Sequence, residues 1–293
     1  MPALLSMSEA HVQHFYDEST GTLSYVVADK QGGNAAIVDP VLGYSTVSGR
    51  TDTGPSDVLI DYIRQEQLSL EWILETHAHA DHLTGAQYIK TAIGGTVAIG
   101  EGIRDVQAHF GPVFNLAAPF APDGHQFDKL FSDGDVFNIG ELECRVLGTP
   151  GHTNDSVSYL IGSAVFVGDS LFMPDFGTAR CDFPGGDAEL LFDSIRKILS
   201  LPGDTRLYMC HDYKPGGREL RWVCTVDEQR AENIHVSEEV GKSEFAGMRR
   251  ERDATLNLPA LIVPAIQVNI CAGHLPETDD NGIAYIKTPI DTL

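Results

Sequence analysis

The stretch THAHADHLTGA, residues 76–86, places three histidines and an aspartate within six positions, directly after the apolar segment EWILE. His77 and His79 are two residues apart, and Asp81 and His82 follow on the same turn. Imidazoles crowd unfavourably unless they share a metal or an anion, and ligands at this spacing can bind one metal jointly. A solvated polar loop is the alternative, but four metal-binding side chains so close together argue against it. The stretch therefore predicts half of a metal site at the end of a strand.

The other half of such a site is predicted where three later apolar strands end. LGTPGH ends on His152, VFVGD ends on Asp169, and LYMCH ends on His211. Each residue alone is as compatible with a core histidine or a turn cap as with a metal ligand. Ligands at the ends of neighbouring strands meet along one edge of a sheet, and three such endings in one chain favour a shared site.

Strand-type and helix-type segments alternate along the chain, which predicts an α/β class fold with sheet-rich halves. Two β-type runs joined by Lys-Gln-Gly-Gly predict an antiparallel hairpin, at 22–29 and 34–41. Apolar residues at helical spacing predict a helix over 56–68, with Ser56 as its N-cap, and a second helix over 187–201.

The segment after about residue 240 shows no pattern that organises it. We therefore predict a catalytic domain over 1–240 and a C-terminal extension over 241–293 that packs on the same domain. No separate second domain is expected, because the remaining chain is too short to hold one.

Composition and charge restrict the partners and the compartment. The 293 residues carry a formal net charge of −22, which repels phosphate backbones and anionic lipid surfaces, so neither nucleic acid nor membrane partners are expected. No apolar run is long enough to span a bilayer. Five cysteines without a Cys-x-x-Cys pair fit a reducing compartment. The start, MPALLSMSEAHVQHFYDE, lacks the features of a targeting signal, which predicts a cytoplasmic protein.

The order of these motifs resembles the metallo-β-lactamase superfamily over about residues 20–213. The matching elements are His-x-His-x-Asp-His at 77–82, Gly-His at 151–152, Gly-Asp at 168–169, and His211. The resemblance implies an α/β (α+β) fold, a four-layer αβ/βα sandwich with the metal site at one edge of two facing sheets. It leaves the reaction open, because this scaffold carries hydrolases and oxygenases alike.

The segments beside the last ligands resemble a bacterial branch of the persulfide dioxygenases (sulfur dioxygenases). Arg180-Cys181-Asp182-Phe183 and the segment 225–233 carry this likeness. It implies one Fe(II) per chain, held by His77, His152 and Asp169. The four remaining ligand-type residues would then act as catalytic supports that hydrogen-bond the ligands or iron-bound water: His79, Asp81, His82 and His211.

The implied reaction oxidises glutathione persulfide with O₂ and water to sulfite and glutathione, a step of sulfur metabolism and sulfide detoxification. Two histidines and one carboxylate leave three positions of Fe(II) free, enough for a substrate sulfur and O₂. Because glutathione carries two carboxylates, its pocket is expected to hold cations and hydrogen-bond donors, with Arg180 as the first choice. The candidates flank the metal ligands: Arg180, Tyr213, Lys214, Arg218 and Arg221.

Two other functions stay open at this point. A dinuclear zinc hydrolase of S-acylglutathione thioesters, resembling glyoxalase II, would use Asp81, His82 and His211 for a second metal, with Asp169 between the two metals. A protein that senses a sulfur species without catalysis is the more distant alternative, because it would not need the full ligand set. The sequence does not decide the oligomeric state, and a homodimer is one alternative.

Overall fold

Strands and helices alternate through the computed structural model, which describes residues 9–116 and 120–293. Residues 1–8, part of the start predicted to carry no targeting signal, and residues 117–119 lie outside the described residues. The strands are β1 His11–Asp17, β2 Thr22–Ala28, β3 Asn34–Val38, β4 Val41–Ser45, β5 Arg50–Asp52, β6 Ser69–Leu74, β7 Leu83–Thr84, β8 Thr96–Gly100, β9 Lys129–Phe131, β10 Val136–Ile139, β11 Leu142–Gly148, β12 Val157–Ile161, β13 Ala164–Phe166, β14 Arg206–Tyr208 and β15 Val223–Thr225.

Two six-stranded sheets form the centre of the fold. The first has the order β1-β2-β3-β6-β8-β9, and its strands from β3 to β9 run parallel. The second has the order β10-β11-β12-β13-β14-β15 and is antiparallel except where β13 meets β14. The predicted hairpin is confirmed, since β2 and β3 pair antiparallel with Tyr25 opposite Val38. A small third sheet, β5-β4-β7, lies beside the loop that carries the histidines.

The helices begin and end close to the predicted positions, with one correction. The first helix begins at Gly54, not at Ser56, because Pro55 suits the first turn, where a missing N–H costs nothing. The Ser56 hydroxyl donates to the Val41 carbonyl instead of capping the helix. The second predicted helix is capped by the Asp187 carboxylate. The helices are α1 Gly54–Gln65, α2 Ala86–Ile93, α3 Ile103–Val113, α4 Ala188–Leu199, α5 Val226–Glu232, α6 Lys242–Asp253 and α7 Ile262–Asn269.

Three apolar clusters separate four layers, which confirms the predicted αβ/βα sandwich. Between the two sheets, Tyr25 and Val27 of the first sheet share one cluster with Tyr159 and Phe166 of the second. A second cluster fills the space between the first sheet and the helices α1, α2, α3 and α7. The third lies between the second sheet and the helices α4 and α6. Burial of these side chains is the main favourable contribution to folding.

The C-terminal segment, residues 241–293, contributes to both helix layers. Helix α6 packs against α4 on the outside of the second sheet, with Phe245 and Ala246 fully buried. Helix α7 lies on the outside of the first sheet, with Ile262, Ile266 and Ile270 in its core. The connection between the two helices, residues 254–261, therefore crosses from one helix layer to the other. The domain boundary at residue 240 stays a prediction.

The described helices do not support membrane insertion. Among residues 9–116 and 120–293, none of the helices has the length and apolar character needed to cross a bilayer.

Candidate metal centre

The histidine loop follows the carboxyl end of β6, which lies between β3 and β8 in the first sheet and ends in the buried Ile73 and Leu74. Its three imidazoles, those of His77, His79 and His82, are almost fully shielded from solvent, with at most 2% of each residue exposed. Burial, together with neighbouring imidazoles, holds the pKa of His77 and of His79 well below the usual value for histidine. Both rings are therefore neutral at physiological pH, the form in which an imidazole binds a metal.

The second sheet brings the other predicted ligands to the same place. His152 follows β11, Asp169 lies in a single 3₁₀ turn after β13, and His211 follows β14. All three are buried, with Asp169 the most exposed at 8%. As predicted from the strand ends, the ligands from the two sheets meet at one edge of the sandwich.

The proposed iron ligands converge on a small volume. The ligand atoms of His77, His152 and Asp169 all lie within 4.8 Å of one another. The Oδ2 atom of Asp169 is 4.0 Å from Nε2 of His77 and 3.7 Å from Nε2 of His152. Two imidazole nitrogens and one carboxylate oxygen facing a common point are the donor set of a mononuclear non-haem iron site. The trio therefore fits one metal ion.

The remaining ligand-type residues surround the other side of Asp169. Nε2 of His211 lies 3.2 Å from Oδ2 of Asp81 and 3.4 Å from Oδ1 of Asp169, and Nδ1 of His82 lies 3.5 Å from Oδ1 of Asp81. Buried polar atoms normally have hydrogen-bond partners, and a group of buried atoms without them fits a site that binds an ion. Within the described residues five such atoms face this centre: Nδ1 of His79, Oδ2 of Asp81, Nε2 of His82, Oδ1 of Asp169 and Nε2 of His211.

Asp39 orients His79 and was not identified from the sequence. It directly follows β3 and has a φ of 48°, a left-handed conformation that aspartate tolerates better than most residues. Its carboxylate accepts hydrogen bonds from the backbone N–H and hydroxyl of Thr76 and lies 3.0 Å from Nε2 of His79. When the proton of His79 is on Nε2, Nδ1 carries a lone pair, and this lone pair faces the centre. The strand-end pattern that identified His152 also applies to Asp39, at the end of NAAIVD.

Two further contacts fix the ligands of the trio. Nδ1 of His152 lies 2.6 Å from the carbonyl oxygen of Arg180, so it donates its proton there and Nε2 faces Asp169. The buried Asp155 accepts a hydrogen bond of 2.7 Å from the backbone N–H of Ala78, between the first two histidines. The sequence reasoning missed Asp155, which follows no apolar strand. Such contacts behind the ligands commonly set ring orientation and metal affinity.

A cavity of about 190 Å³ opens onto the metal ligands. His152 and Asp169 form part of its wall, and the connection between α6 and α7 covers it with Leu256 and Pro259. Most of the remaining wall is aromatic or cationic, formed by Phe172, Phe176, Phe183, Tyr213, Arg180, Arg249 and Arg252. A partly apolar cavity with a few charged groups next to a metal site is the usual form of a small-molecule site.

The five predicted substrate-binding candidates fall into two groups. Arg180 and Tyr213 line the cavity, and the Tyr213 ring stacks on His211 with 5.5 Å between ring centroids. Lys214, Arg218 and Arg221 are not part of the cavity wall. Lys214 lies 3.4 Å from Glu18, and the Arg218 guanidinium is held by the carboxylates of Asp175 and Asp212. Acids outside the cavity wall pair with both Lys214 and Arg218, and their contact with the substrate stays a prediction.

Three arginines line the cavity, and they differ in burial and in their hydrogen-bond partners. Arg180 donates twice to Asp182 and once to the carbonyl oxygen of Asn257. The buried Arg249 is paired with Asp253. Arg252 is exposed, and within the described residues its side chain makes no hydrogen bond or ion pair. The sequence reasoning missed both Arg249 and Arg252, since the cluster MRRERD lies in the segment that no pattern organised.

Known proteins with similar sequences carry different names. The chain is 51% identical over 288 residues to glyoxylase B2 of Dictyostelium discoideum, across 98% of this chain and 99% of that protein. It is 28% identical over 229 residues to the mitochondrial persulfide dioxygenase ETHE1 of Homo sapiens, across 77% of this chain and 76% of that protein.

A solved structure and a family model extend the comparison. The crystal structure of ETHE1 from Myxococcus xanthus superposes with a TM-score of 0.71 and 28% identity, covering 90% of this chain and 100% of that one. The family model described as the metallo-beta-lactamase superfamily matches residues 19–211, a range that contains every predicted metal ligand. Together with the sandwich and its edge site, this match shows that the chain belongs to the metallo-beta-lactamase superfamily.

Proposed function

We propose that the protein is a mononuclear non-haem iron dioxygenase that oxidises glutathione persulfide with O₂ and water to sulfite and glutathione. The observation that carries the proposal is the buried trio of His77, His152 and Asp169 beside a cavity with aromatic and arginine walls. The likeness to two ETHE1 proteins, one of them named a persulfide dioxygenase, supports it. We also propose that the partners are the small-molecule substrates, without nucleic acid or membrane.

The chain's own residues prepare the ligands for the metal. When bound by two histidines and a carboxylate, Fe(II) supplies free coordination positions for a substrate and O₂. The carbonyl oxygen of Arg180 takes the Nδ1 proton of His152, so this ring presents Nε2 to the metal. The hydroxyl oxygen of Thr76 lies 3.1 Å from Nδ1 of His77, so that ring also presents Nε2. Low histidine pKa values mean that no proton competes for His77.

The cavity wall matches a substrate with an apolar reacting end and charged outer ends. Phe172, Phe176 and Phe183 exclude water next to the ligands, which suits a sulfur atom better than a charged group. Arg252, with no partner of its own among the described residues, is the arginine best placed to take a carboxylate, and Arg180 is the second. Such local cations counter the net charge of −22, which otherwise repels an anionic peptide.

One observation favours a second candidate, a dinuclear zinc hydrolase of S-acylglutathione. Asp81, His82 and His211 present unpartnered buried atoms around Asp169, and these four residues would suffice to hold a second metal. In that enzyme Asp169 would lie between two metals, and the metals would activate water for attack on a thioester. The relative named glyoxylase B2 supports this alternative.

One comparison of two proteins separates these functions. Metal content, O₂ uptake with glutathione persulfide, and hydrolysis of S-lactoylglutathione are measured on the wild type and on Asp81→Ala. We expect about one iron per chain and O₂ uptake in the wild type, uptake reduced by about 10 to 100-fold in the variant, and negligible hydrolysis in both. A matched control is Asp123→Ala, which removes another carboxylate bonded to a histidine, His125, away from the cavity.

The hydrolase predicts the opposite pattern. Wild type would hold about two metals and hydrolyse the thioester without consuming O₂, and Asp81→Ala would lose one metal together with hydrolysis. That result would overturn the dioxygenase proposal.

A further inference from the structure

The last residue of α7, Asn269, is hydrogen-bonded to the histidine loop. Its side-chain amide donates to the carbonyl oxygens of His79 and His82, at 2.7 and 2.8 Å. Its side-chain oxygen accepts a hydrogen bond of 2.8 Å from the backbone N–H of Thr84. Only 3% of Asn269 is exposed, so no water replaces these contacts from bulk solvent. One side chain from the C-terminal segment thus holds three backbone groups of the loop.

The loop needs such support because it has little of its own. In the described chain, residues 77–82 belong to no strand or helix, and their backbones make no backbone-to-backbone hydrogen bond. A buried carbonyl or N–H group without a partner costs roughly 1 to 3 kcal/mol. Side chains from outside therefore replace regular structure in the loop: Asp155 binds Ala78, and Asn269 binds the part that carries the last three ligand-type residues.

Helix α7 can serve as a fixed support because it is anchored along its length. Ile262, Ile266 and Ile270 are buried in the core beneath the first sheet. The Gln107 side chain on α3 donates a hydrogen bond of 2.8 Å to the carbonyl oxygen of Ile270, just after Asn269. A side chain on such a helix is held more precisely than one on a loop.

We infer that Asn269 is a positioning residue for the metal centre. By fixing the backbone at His79 and His82, it fixes the directions of both imidazoles and of the Asp81 carboxylate between them. The C-terminal segment thereby controls metal affinity without supplying a ligand. This role does not depend on the reaction, because the loop would face the metal centre in the dioxygenase and in the hydrolase.

Helix α7 offers a matched control for this inference. Gln267 has the same exposed fraction as Asn269, 3%, and also makes three hydrogen bonds through its side chain. Its amide donates to the carbonyl oxygens of Val263 and Lys287, and its side-chain oxygen accepts from the backbone N–H of Lys287. These bonds hold the C-terminal tail and do not reach the histidine loop. Gln267→Ala therefore removes an equally buried amide from the same helix without touching the metal centre.

The experiment measures metal affinity and folding stability separately. Wild type, Asn269→Ala, Asn269→Asp and Gln267→Ala are each titrated with Zn²⁺, and with Fe²⁺ without oxygen, against a competing chelator. Thermal unfolding of the metal-free proteins is measured in parallel. We expect Asn269→Ala to weaken the affinity for both metals by about 10 to 100-fold, while Gln267→Ala keeps wild-type affinity with a comparable loss of unfolding temperature. Visible absorption of the Co²⁺-loaded proteins should change only in the Asn269 variants.

Asn269→Asp tests the two donated bonds and covers the case in which the alanine variant does not fold. An ionised aspartate keeps the volume and the acceptor for Thr84 but cannot donate to the two carbonyl oxygens. We expect it to lose as much metal affinity as the alanine variant. Wild-type affinity in Asn269→Asp, or equal losses of affinity in Asn269→Ala and Gln267→Ala, would overturn the inference. Neither result bears on the proposed reaction, which the O₂ uptake measurement tests.

Discussion

The metal-ligand edge and the C-terminal segment surround the same cavity but are built in opposite ways. At the edge, each ligand follows a strand, so the two sheets bring His77, His152 and Asp169 together as they form. The segment 241–293 is helical, crosses between the helix layers, and supplies no ligand of the trio. Its contributions are Arg249, Arg252, Leu256 and Pro259 in the cavity wall and Asn269 behind the loop. In the proposed function the edge provides the chemistry, and the segment is proposed to provide recognition and positioning.

This difference predicts two kinds of variant. Substitutions at the edge should change how much metal is bound, because they remove metal-binding atoms. Substitutions in the segment should leave the amount of metal unchanged at saturating concentration and should alter either metal affinity or substrate affinity.

The largest effect is expected within the edge itself. His152→Ala removes one of three iron ligands and should abolish bound iron and O₂ uptake, whereas His211→Ala should keep much of the iron. Metal analysis of proteins purified from iron-replete cells measures both. His125→Ala, a change at an exposed histidine outside the cavity, is the control. Equal loss of metal in both edge variants would show that His211 is a ligand, and two zinc ions whose content tracks activity would favour the hydrolase.

The edge was largely predictable from the sequence, for a physical reason. A buried strand must end, and its end is where polar residues can face a site while apolar residues stay in the core. This pattern located all seven ligand-type residues, and it would also have located Asp39 had it been applied to the hairpin. The four-layer fold came from the resemblance carried by the same motifs, and the clusters between the layers confirm it.

The C-terminal segment was not predictable in this way. Asn269 and Arg252 act through helices whose place in the fold depends on long-range packing against α3 and α4. A lone asparagine at a helix end normally indicates a cap, and an arginine cluster normally indicates a solvated surface. Neither residue carries a local signal that points to the cavity. The predicted start of α1 at Ser56 was wrong for a simpler reason. Proline favours the first turn of a helix, and this preference of Pro55 competed with the preference of Ser56 for the N-cap position.

A smaller effect is expected where the segment meets the substrate. Arg252→Ala should raise KM for glutathione persulfide by about tenfold or more with kcat nearly unchanged, since a hydrogen bond to a charged group contributes about 1.5 to 3 kcal/mol. Arg180→Ala should also raise KM, but by less, because Asp182 and the carbonyl oxygen of Asn257 already occupy its guanidinium. Steady-state O₂ uptake over a range of substrate concentrations gives both values.

Arg250 provides the control for this pair, because it is exposed on the same helix, is paired with Glu189, and does not line the cavity. Arg250→Ala should leave KM at the wild-type value. An unchanged KM in Arg252→Ala would remove the C-terminal segment from substrate recognition. A fall in bound metal in Arg252→Ala would contradict the expectation that only substitutions at the metal-ligand edge change the amount of bound metal.

The smallest effect is expected at His235, which is hydrogen-bonded to Thr178 in the cavity wall and lies near Arg249 and Arg252 of the C-terminal segment. Its Nδ1 accepts a hydrogen bond of 3.1 Å from the backbone N–H of Thr178 in the cavity wall. Burial, followed by the charges of Arg249 and Arg252, lowers its pKa to about 4, and Asp253 opposes this shift. The unfolded chain, with a histidine pKa near 6.5, therefore binds more protons than the folded protein between pH 6.5 and 4. The stability that the neutral ring contributes is complete above pH 6.5 and is lost as the pH falls towards 4.

His235→Gln tests this linkage, because a glutamine side chain can accept the Thr178 hydrogen bond but does not titrate. Urea unfolding of wild type and variant at several pH values from 7.5 to 4.5 gives the difference in their free energies of unfolding. Solvent reaches the half-buried ring and weakens the effect, so we expect this difference to shift by about 1 kcal/mol in favour of the variant as the pH falls. Parallel curves for wild type and His235→Gln would mean that the folded protein accepts a proton on His235 as readily as the unfolded chain.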